Sequence, residues 1–410
     1  MKKELSVAIL ALLVVSLVAG GCPPLYLQRE PGPAPPGPFP PPDKEWSRTF
    51  GGREGSVAQS VQQTRDGGFI IVGWREGAGE FDYDIWLVKS DEKGNKEWSR
   101  TFGGPHSDKA HSVQQTADGG FIIVGDTASF GAGSNDAWLI KTDGEGNKEW
   151  SRIFGGLDAD RARSVQQTRD GGFIIVGWTD SFGPGDIWLI KTDQEGNKEW
   201  SRTFGGRITD HGWSVRETLD GGFIITGTLY RGGPRYGDLW LIRTDEHGDK
   251  EWCRTFDRGG GETGHSVQQT RDGGFIIAAQ VYPPFIGRSD LWLIKTDQEG
   301  NKEWSRSFGG WGSEGLPSVQ QTRDGGFIIV ASTESFGAGK SDIWLIKTDQ
   351  EGDKEWSRTF GGREREGGSS VQQTACGGFI IAGTTNSFGA GKSDFWLIKL
   401  APEHAILPVS

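Results

Sequence analysis

Three observations predict an all-β fold, a seven-bladed β-propeller of four-stranded antiparallel blades. A unit of about fifty residues recurs seven times between Lys44 and Leu400. Every unit holds four short strand-like runs separated by Gly-rich turns. The first and last units are complementary fragments of one blade, so the N-terminal strand (44–50) is expected to complete the last blade and close the ring. Self-similarity at a period of this size marks a stacked or radial array and takes precedence over any local reading.

The repeat is counted from its motifs. Asp-Gly-Gly-Phe begins at Asp66, Asp118, Asp170, Asp220, Asp272 and Asp324, with Cys376-Gly-Gly-Phe as the seventh; the spacings are 52, 52, 50, 52, 52 and 52. Within a unit, Ser-Val-Gln-Gln-Thr is short and mixed, and Phe-Ile-Ile-Val is an apolar run of the kind buried between packed sheets. Ile-Trp-Leu-Ile-Lys is apolar as well, and Glu-Trp-Ser-Arg-Thr-Phe alternates. Asp-Gly-Gly between the first two runs signals a tight hairpin, since glycine reaches positive φ without penalty. Thr-Asp-x-x-Gly-Asn-Lys between the last two reads as a type I turn with Gly in the left-handed position. Four antiparallel strands in about fifty residues make a propeller blade.

The ends support closure. Lys44 to Phe50 is a fourth-strand motif with nothing before it to pair with, and the chain's last repeat stops at Leu400 after a third strand. An open array would leave both half-built ends as exposed edges. The predicted organisation is therefore a signal peptide at 1–21, a lipidated Cys and Pro-rich tether at 22–43, the propeller at 44–400 and a tail at 401–410.

Lys2 and Lys3 precede an apolar run from Leu5 to Ala19 and then Gly20-Gly21-Cys22, the layout of a secretory signal. The run is short for a membrane span. Residues 23–43 carry ten prolines. They favour a polyproline II spacer with a reach on the order of 60 Å. The expected localisation is export to the cell envelope or cell surface with a lipid anchor, the alternative being secretion after ordinary cleavage near Gly21.

With 55 acidic against 44 basic side chains the net charge is −11, which excludes nucleic acid and anionic membrane surfaces as electrostatic partners. Cys253 stands where sister repeats have Ser and Cys376 where they have Asp, so both read as drift rather than a disulfide framework or a metal site.

The stretch 44–400 resembles the Asp-Gly-Gly-Phe repeat propellers of archaeal and bacterial secreted proteins and lipoproteins, loosely related to SBBP-type repeats. Gly20-Gly21-Cys22 is similar to a prokaryotic lipobox, with Ala19 where Leu is usual; the resemblance implies that Cys22 is the lipidated first residue of the mature chain. Asp193-Gln-Glu-Gly-Asn-Lys-Glu-Trp200 looks like the tryptophan-docking motif of quinoprotein propellers. That likeness implies a structural, between-blade role for Trp98, Trp150, Trp200, Trp252, Trp304 and Trp356.

The first-to-second and third-to-fourth turns repeat almost unchanged, whereas the second-to-third loops and the blade-to-blade connections diverge, so a specific site is expected on the divergent face. The residue before each Ser-Val varies while its neighbours do not: Gln59, His111, Arg163, Trp213, His265, Pro317 and Ser369. This position is expected at the top of the innermost strand, as a binding rim or as drift at a solvated loop end. Trp74, Phe81, Tyr83, Trp178, Tyr230, Tyr236, Tyr282 and Phe285 add aromatics to the second-to-third loops, where flat rings suit sugar faces or protein contacts. Phe130, Phe182, Phe336 and Phe388 belong to a repeated Ser-Phe-Gly segment and read as loop anchors. The candidate ligand-binding set is His111, Arg163, Trp213, His265, Gln59, Trp74 and Trp178. The fourth repeat departs most, with Arg216-Glu217 for Gln-Gln and His211 beside Trp213, which points to a functional sector between the second and fifth repeats.

Asp108, Asp160, Asp210, Glu262, Glu314 and Glu366 lie four residues before the Ser. Such a ring could hold a cation or supply a glycosidase pair; near-identity across repeats instead favours loop-fixing bonds to backbone N–H groups. No P-loop, dinucleotide fingerprint, HExxH or Gly-x-Ser-x-Gly elbow is present. No cofactor or metal is predicted, and the catalytic residues of any activity are unknown. The expected function is a surface-anchored, non-enzymatic propeller binding a cell-surface protein or carbohydrate, with no nucleic-acid partner. The alternative is a secreted glycoside hydrolase or lyase with its site on the same face.

Overall fold

The computed structural model describes residues 40–403 apart from 78, 80–81, 232–236 and 284–286. Twenty-eight strands form seven four-stranded antiparallel sheets, each built from strands consecutive in sequence except the last. That sheet joins Glu366–Gln373, Phe379–Thr385 and Asp394–Leu400 to the N-terminal strand Lys44–Phe50. Pairing runs from Lys44↔Leu400 to Phe50↔Phe395, so the predicted closure is present. We number the blades 1 to 7 from the strand Ser56–Gln63, which opens blade 1.

The hairpin glycines do two different things. Gly67 has φ 88°, as the turn requires. Gly68 has no such φ, but a Cβ on it would lie 2.2 Å from the Ser90 carbonyl oxygen, so close approach excludes a side chain. Beneath the hairpin the buried Lys89 reaches Asp66 and Glu97, both at 2.9 Å.

The apolar runs are buried on both faces because every blade is sandwiched by two others. In blade 1, Phe69 and Ile71 pack with Phe395 and Leu397 of blade 7, while Ile70 and Val72 pack with Val113 and Phe121 of blade 2. The docking tryptophans complete each joint. Trp98 lies against Phe121 of the next blade at 5.9 Å, and Gly146 of that blade sits so close to the indole that a Cβ would be 2.5 Å from it.

The innermost strand of a blade has one free edge, whose N–H groups need acceptors. The preceding blade supplies them. Ser60 Oγ accepts the Val113 N–H at 3.4 Å and Gln62 Oε1 accepts the Gln115 N–H at 2.6 Å. The Ser and Gln of the Ser-Val-Gln-Gln repeat thus stitch the inner strands to one another around the channel.

Each inner strand also carries a register shift at the residue before the Ser: Gln59, His111, Arg163, Trp213, His265 and Ser369 are bulged out of the ladder. Blade 6 loses two residues there, Leu316 and Pro317, with Leu316 at φ 54°. The variable position is therefore a β-bulge within the innermost strand, a device that re-aims a side chain, rather than a solvated loop end. Among the described residues no helix is long and apolar enough to cross a membrane.

Candidate functional site

Two positions per blade build the rim. One is the bulged residue of the inner strand. The other follows the Phe-Ile-Ile-Val-Gly run of the second strand and is Trp74, Asp126, Trp178, Thr228, Gln280, Ser332 or Thr384. The second position pairs with the residue two before the bulge, as in Trp74↔Val57, Asp126↔Lys109 and Trp178↔Arg161, and in blades 2 to 5 the bulged side chain contacts the preceding blade. In blades 1 to 5 the two sets interlock into one continuous belt.

The belt begins where His111 meets the Trp74 ring at 5.8 Å. His111 Nε2 lies 3.0 Å from Asp126 Oδ2, and Arg163 Nη1 lies against both imidazole nitrogens, 2.8 Å from Nδ1. Asp126 also accepts the Ala162 N–H at 3.0 Å and faces Arg163 at 3.7 Å, which ties blade 2 to blade 3. Burial, aided by the Arg163 charge, pushes His111 down to about 4, so the ring is neutral at pH 7. A neutral imidazole has one donor and one acceptor, which suits a carboxylate on one side and a guanidinium on the other. Burial works against the Asp126 carboxylate, but His111 and Arg163 outweigh it and hold Asp126 below its ordinary value.

Farther round, Arg163 stacks over Trp178 at 4.7 Å and Trp213 at 5.5 Å. Trp213 meets His265 at 5.0 Å, and His211 lies against Trp178 at 4.4 Å and Tyr230 at 5.6 Å. Burial pushes His211 and His265 down to about 4. Lys109 covers Tyr83 at 4.4 Å and Arg161 covers Trp178 at 5.8 Å, so cations flank the aromatics on the outer side. Among the described residues, three buried nitrogens of the belt have no hydrogen-bond partner: Arg163 Nε, Trp213 Nε1 and His265 Nε2.

Of the seven predicted site residues, His111, Arg163, Trp213, His265, Trp74 and Trp178 come together. Gln59 occupies the same bulge in blade 1, where it makes no contact with the belt among the described residues. Trp74 and Trp178, expected on loops, lie inside the strands Phe69–Glu76 and Phe173–Thr179. The correction has a simple cause: the ladder continues past the apolar run through Trp74↔Ile85 and Trp178↔Ile187. Tyr83 and Tyr282 are likewise strand ends, and Phe81, Tyr236, Phe285 and Cys22 lie outside the described residues. Asp126 and Gln280 were not among the candidates. Their signal was present, since their position varies from repeat to repeat as the bulge does.

The Ser-Phe-Gly phenylalanines anchor loops as expected, Phe130 on Trp138 at 5.2 Å and Phe336 on Trp344 at 4.8 Å. The repeated carboxylates fix loops both between and within blades. Asp108 Oδ2 accepts the Gly104 N–H at 2.9 Å and the Ser129 hydroxyl at 2.7 Å, and Asp136 Oδ2 accepts the Ala132 N–H at 2.9 Å. Among the described residues, Asp108 Oδ1, Asp136 Oδ1, Glu262 Oε2 and Glu314 Oε2 are buried without partners. Burial pushes Asp210 up to about 6 and both glutamates up to about 7. Between blades 4 and 5, Asp257 replaces a glycine and forms with Asp238 and Glu262 a group whose oxygens lie within 4.8 Å of one another. Arg231 Nε, 2.9 Å from Asp238, already brings a positive charge to it.

No family model and no curated protein sequence matches the chain. Solved structures that resemble it are propellers of low identity. One is a protein of unknown function from Dyadobacter fermentans (12% identity, TM-score 0.51, 88% of this chain and 100% of that one). Another is Sqt1 of Chaetomium thermophilum bound to the N-terminus of ribosomal protein L10 (11% identity, TM-score 0.53, 88% and 100%). A third is the WD40 domain of Neurospora crassa Pan2 (9% identity, TM-score 0.52, 86% and 90%). At these identities the likeness establishes the seven-bladed propeller fold alone.

Proposed function

We propose that this chain is a surface-anchored, non-enzymatic propeller of the Asp-Gly-Gly-Phe lipoprotein type that binds a cell-surface protein or glycan through the rim of blades 1 to 5. The observation that carries the reading is the trio of unpartnered buried nitrogens, Arg163 Nε, Trp213 Nε1 and His265 Nε2, set among stacked aromatics. A buried polar group without a partner costs about 1–3 kcal/mol. A ligand that supplies the missing partners recovers that cost, and the rings of Trp213 and Tyr230 add contact area. Sqt1 offers a precedent for a propeller that binds a peptide segment, as an analogy of fold only.

The test is a binding isotherm on purified cell-surface protein and glycan panels. Trp213→Ala and His265→Ala are each expected to weaken binding at least tenfold, about 1.4 kcal/mol; unchanged binding in both variants removes the site. Mass spectrometry of the mature N-terminus, looking for a diacylated or triacylated Cys22, tests the anchor.

The enzymatic alternative draws on one feature. Glu262 and Glu314, in adjacent blades, are held up to about 7, where a general acid works at neutral pH. Release of reducing or unsaturated ends from a polysaccharide, lost in Glu314→Gln, would establish it.

A further inference from the structure

One position on the channel wall departs from the repeat in a single blade. Six glutamines, from Gln62 in blade 1 to Gln372 in blade 7, occupy it, and Arg216 replaces them in blade 4. Each glutamine Oε1 accepts a backbone N–H from the next inner strand: 2.6 Å for Gln62 and Gln115, 2.9 Å for Gln166 and Glu217, 2.8 Å for Gln268 and Gln321. A backbone N–H accepts nothing, so these bonds fix the amide orientation and leave each NH₂ group as the free end. At this level the wall presents donors.

Arg216 makes the pattern acute. Its Nη1 donates to the Val215 carbonyl at 3.1 Å, and no carboxylate pairs with it among the described residues. Burial, unopposed by any neighbouring negative charge, pushes its pKa down. A guanidinium has no acceptor, so the Gln269 N–H, the counterpart of the Gln115 N–H in blade 2, meets none among the described residues. The joint between blades 4 and 5 therefore combines a full positive charge with an unmet backbone donor, flanked by the amides of Gln166 and Gln268. Arg216 is half-buried, so its unpaired charge is only partly solvated, and a bound counter-charge offsets the solvation it has lost.

We propose that the channel wall at Arg216 and the Gln269 N–H binds a small anion, a halide or the carboxylate of a small organic acid. This site is separate from the rim, and neither proposal needs the other.

The decisive variant is Arg216→Gln, which installs the residue that the other blades tolerate and returns an acceptor to the Gln269 N–H. Thermal unfolding of the full chain and the variant is followed in sodium bromide and in sodium acetate. The wild-type midpoint is expected to rise saturably by roughly 2 °C at tenfold the dissociation constant; the variant gains nothing beyond the general salt effect and is the more stable of the two at low salt. A response to bromide alone, to acetate alone or to both identifies the anion. Crystals grown in bromide should show an anomalous peak beside Arg216 in the wild type and none in the variant. Parallel salt responses in the two proteins, without a peak, overturn the proposal.

Discussion

Removing the Asp126 carboxylate probes the joint that assembles the rim. The side chain is 6% exposed and takes three interactions: the Ala162 N–H at 3.0 Å, His111 at 3.0 Å and Arg163 at 3.7 Å. At 3.7 Å and an effective dielectric of about 20, the pair with Arg163 is worth about 4–5 kcal/mol before desolvation is counted. Truncating one partner of a buried pair strands the other, and the typical loss is about 3–5 kcal/mol. We expect Asp126→Ala to lower the unfolding free energy by about that amount, because it leaves a buried guanidinium, a histidine donor and a backbone N–H unmet. Asp126→Asn keeps the shape and the acceptor for Ala162, so its cost is smaller, about 1–3 kcal/mol. The assay is equilibrium urea unfolding at pH 7 with tryptophan fluorescence, with the slope checked for constancy. Asp126→Ala/Arg163→Ala supplies the internal control: deleting the stranded charge as well should restore part of the loss. A loss below 1 kcal/mol in Asp126→Ala, or a double variant weaker than the single by the full cost of Arg163→Ala, would refute the account.

Two further outcomes follow from the same geometry. Glu314 has a folded pKa raised by burial to about 7, so its contribution is full below about 4.5 and is lost as the pH rises through 7. Glu314→Gln should therefore be more stable than wild type at pH 8 by on the order of 1–3 kcal/mol, with the gain shrinking toward pH 5; thermal unfolding across pH checks it, and parallel curves would count against it. Trp150→Ala empties the wedge between Phe173, 6.0 Å away, and the turn at Gly196. It should cost about 2–4 kcal/mol in urea unfolding.

Much of the ring was legible because its physics is local and repeated. Glycine at Gly67, an apolar run at Phe69–Val72 and a wedge at Trp98 announce a turn, a sandwiched strand and a blade contact wherever they occur. Closure was legible for another reason: the fragments at Lys44 and Leu400 are halves of a known whole. The rim was legible only as a place. Variation at His111, Arg163, Trp213 and His265 marks the position, but a bulge leaves no residue signature, so neither its re-aimed side chains nor their burial could be read. Asp126 escaped because its partners lie 15 and 37 residues away on two blades, and pairing across blades depends on register. Trp178 was misplaced because a ladder can run past the residues that advertise it. Arg216 was visible as a departure, yet its consequence needed the bond from each Gln to the next inner strand.

The seventh sheet has a bearing on synthesis. Its outer strand is made first and its other three strands last, and the register Lys44↔Leu400 spans nearly the whole repeat array. Six blades can assemble as they emerge, whereas the seventh must wait for the final residues. Until then Lys44–Phe50 has no partner, and Phe50, buried in the closed ring, remains open to solvent. A head interrupted before Leu400 would carry that bare strand as a mark of incompleteness, available to proteases and chaperones. The latch therefore couples closure of the ring to completion of the chain.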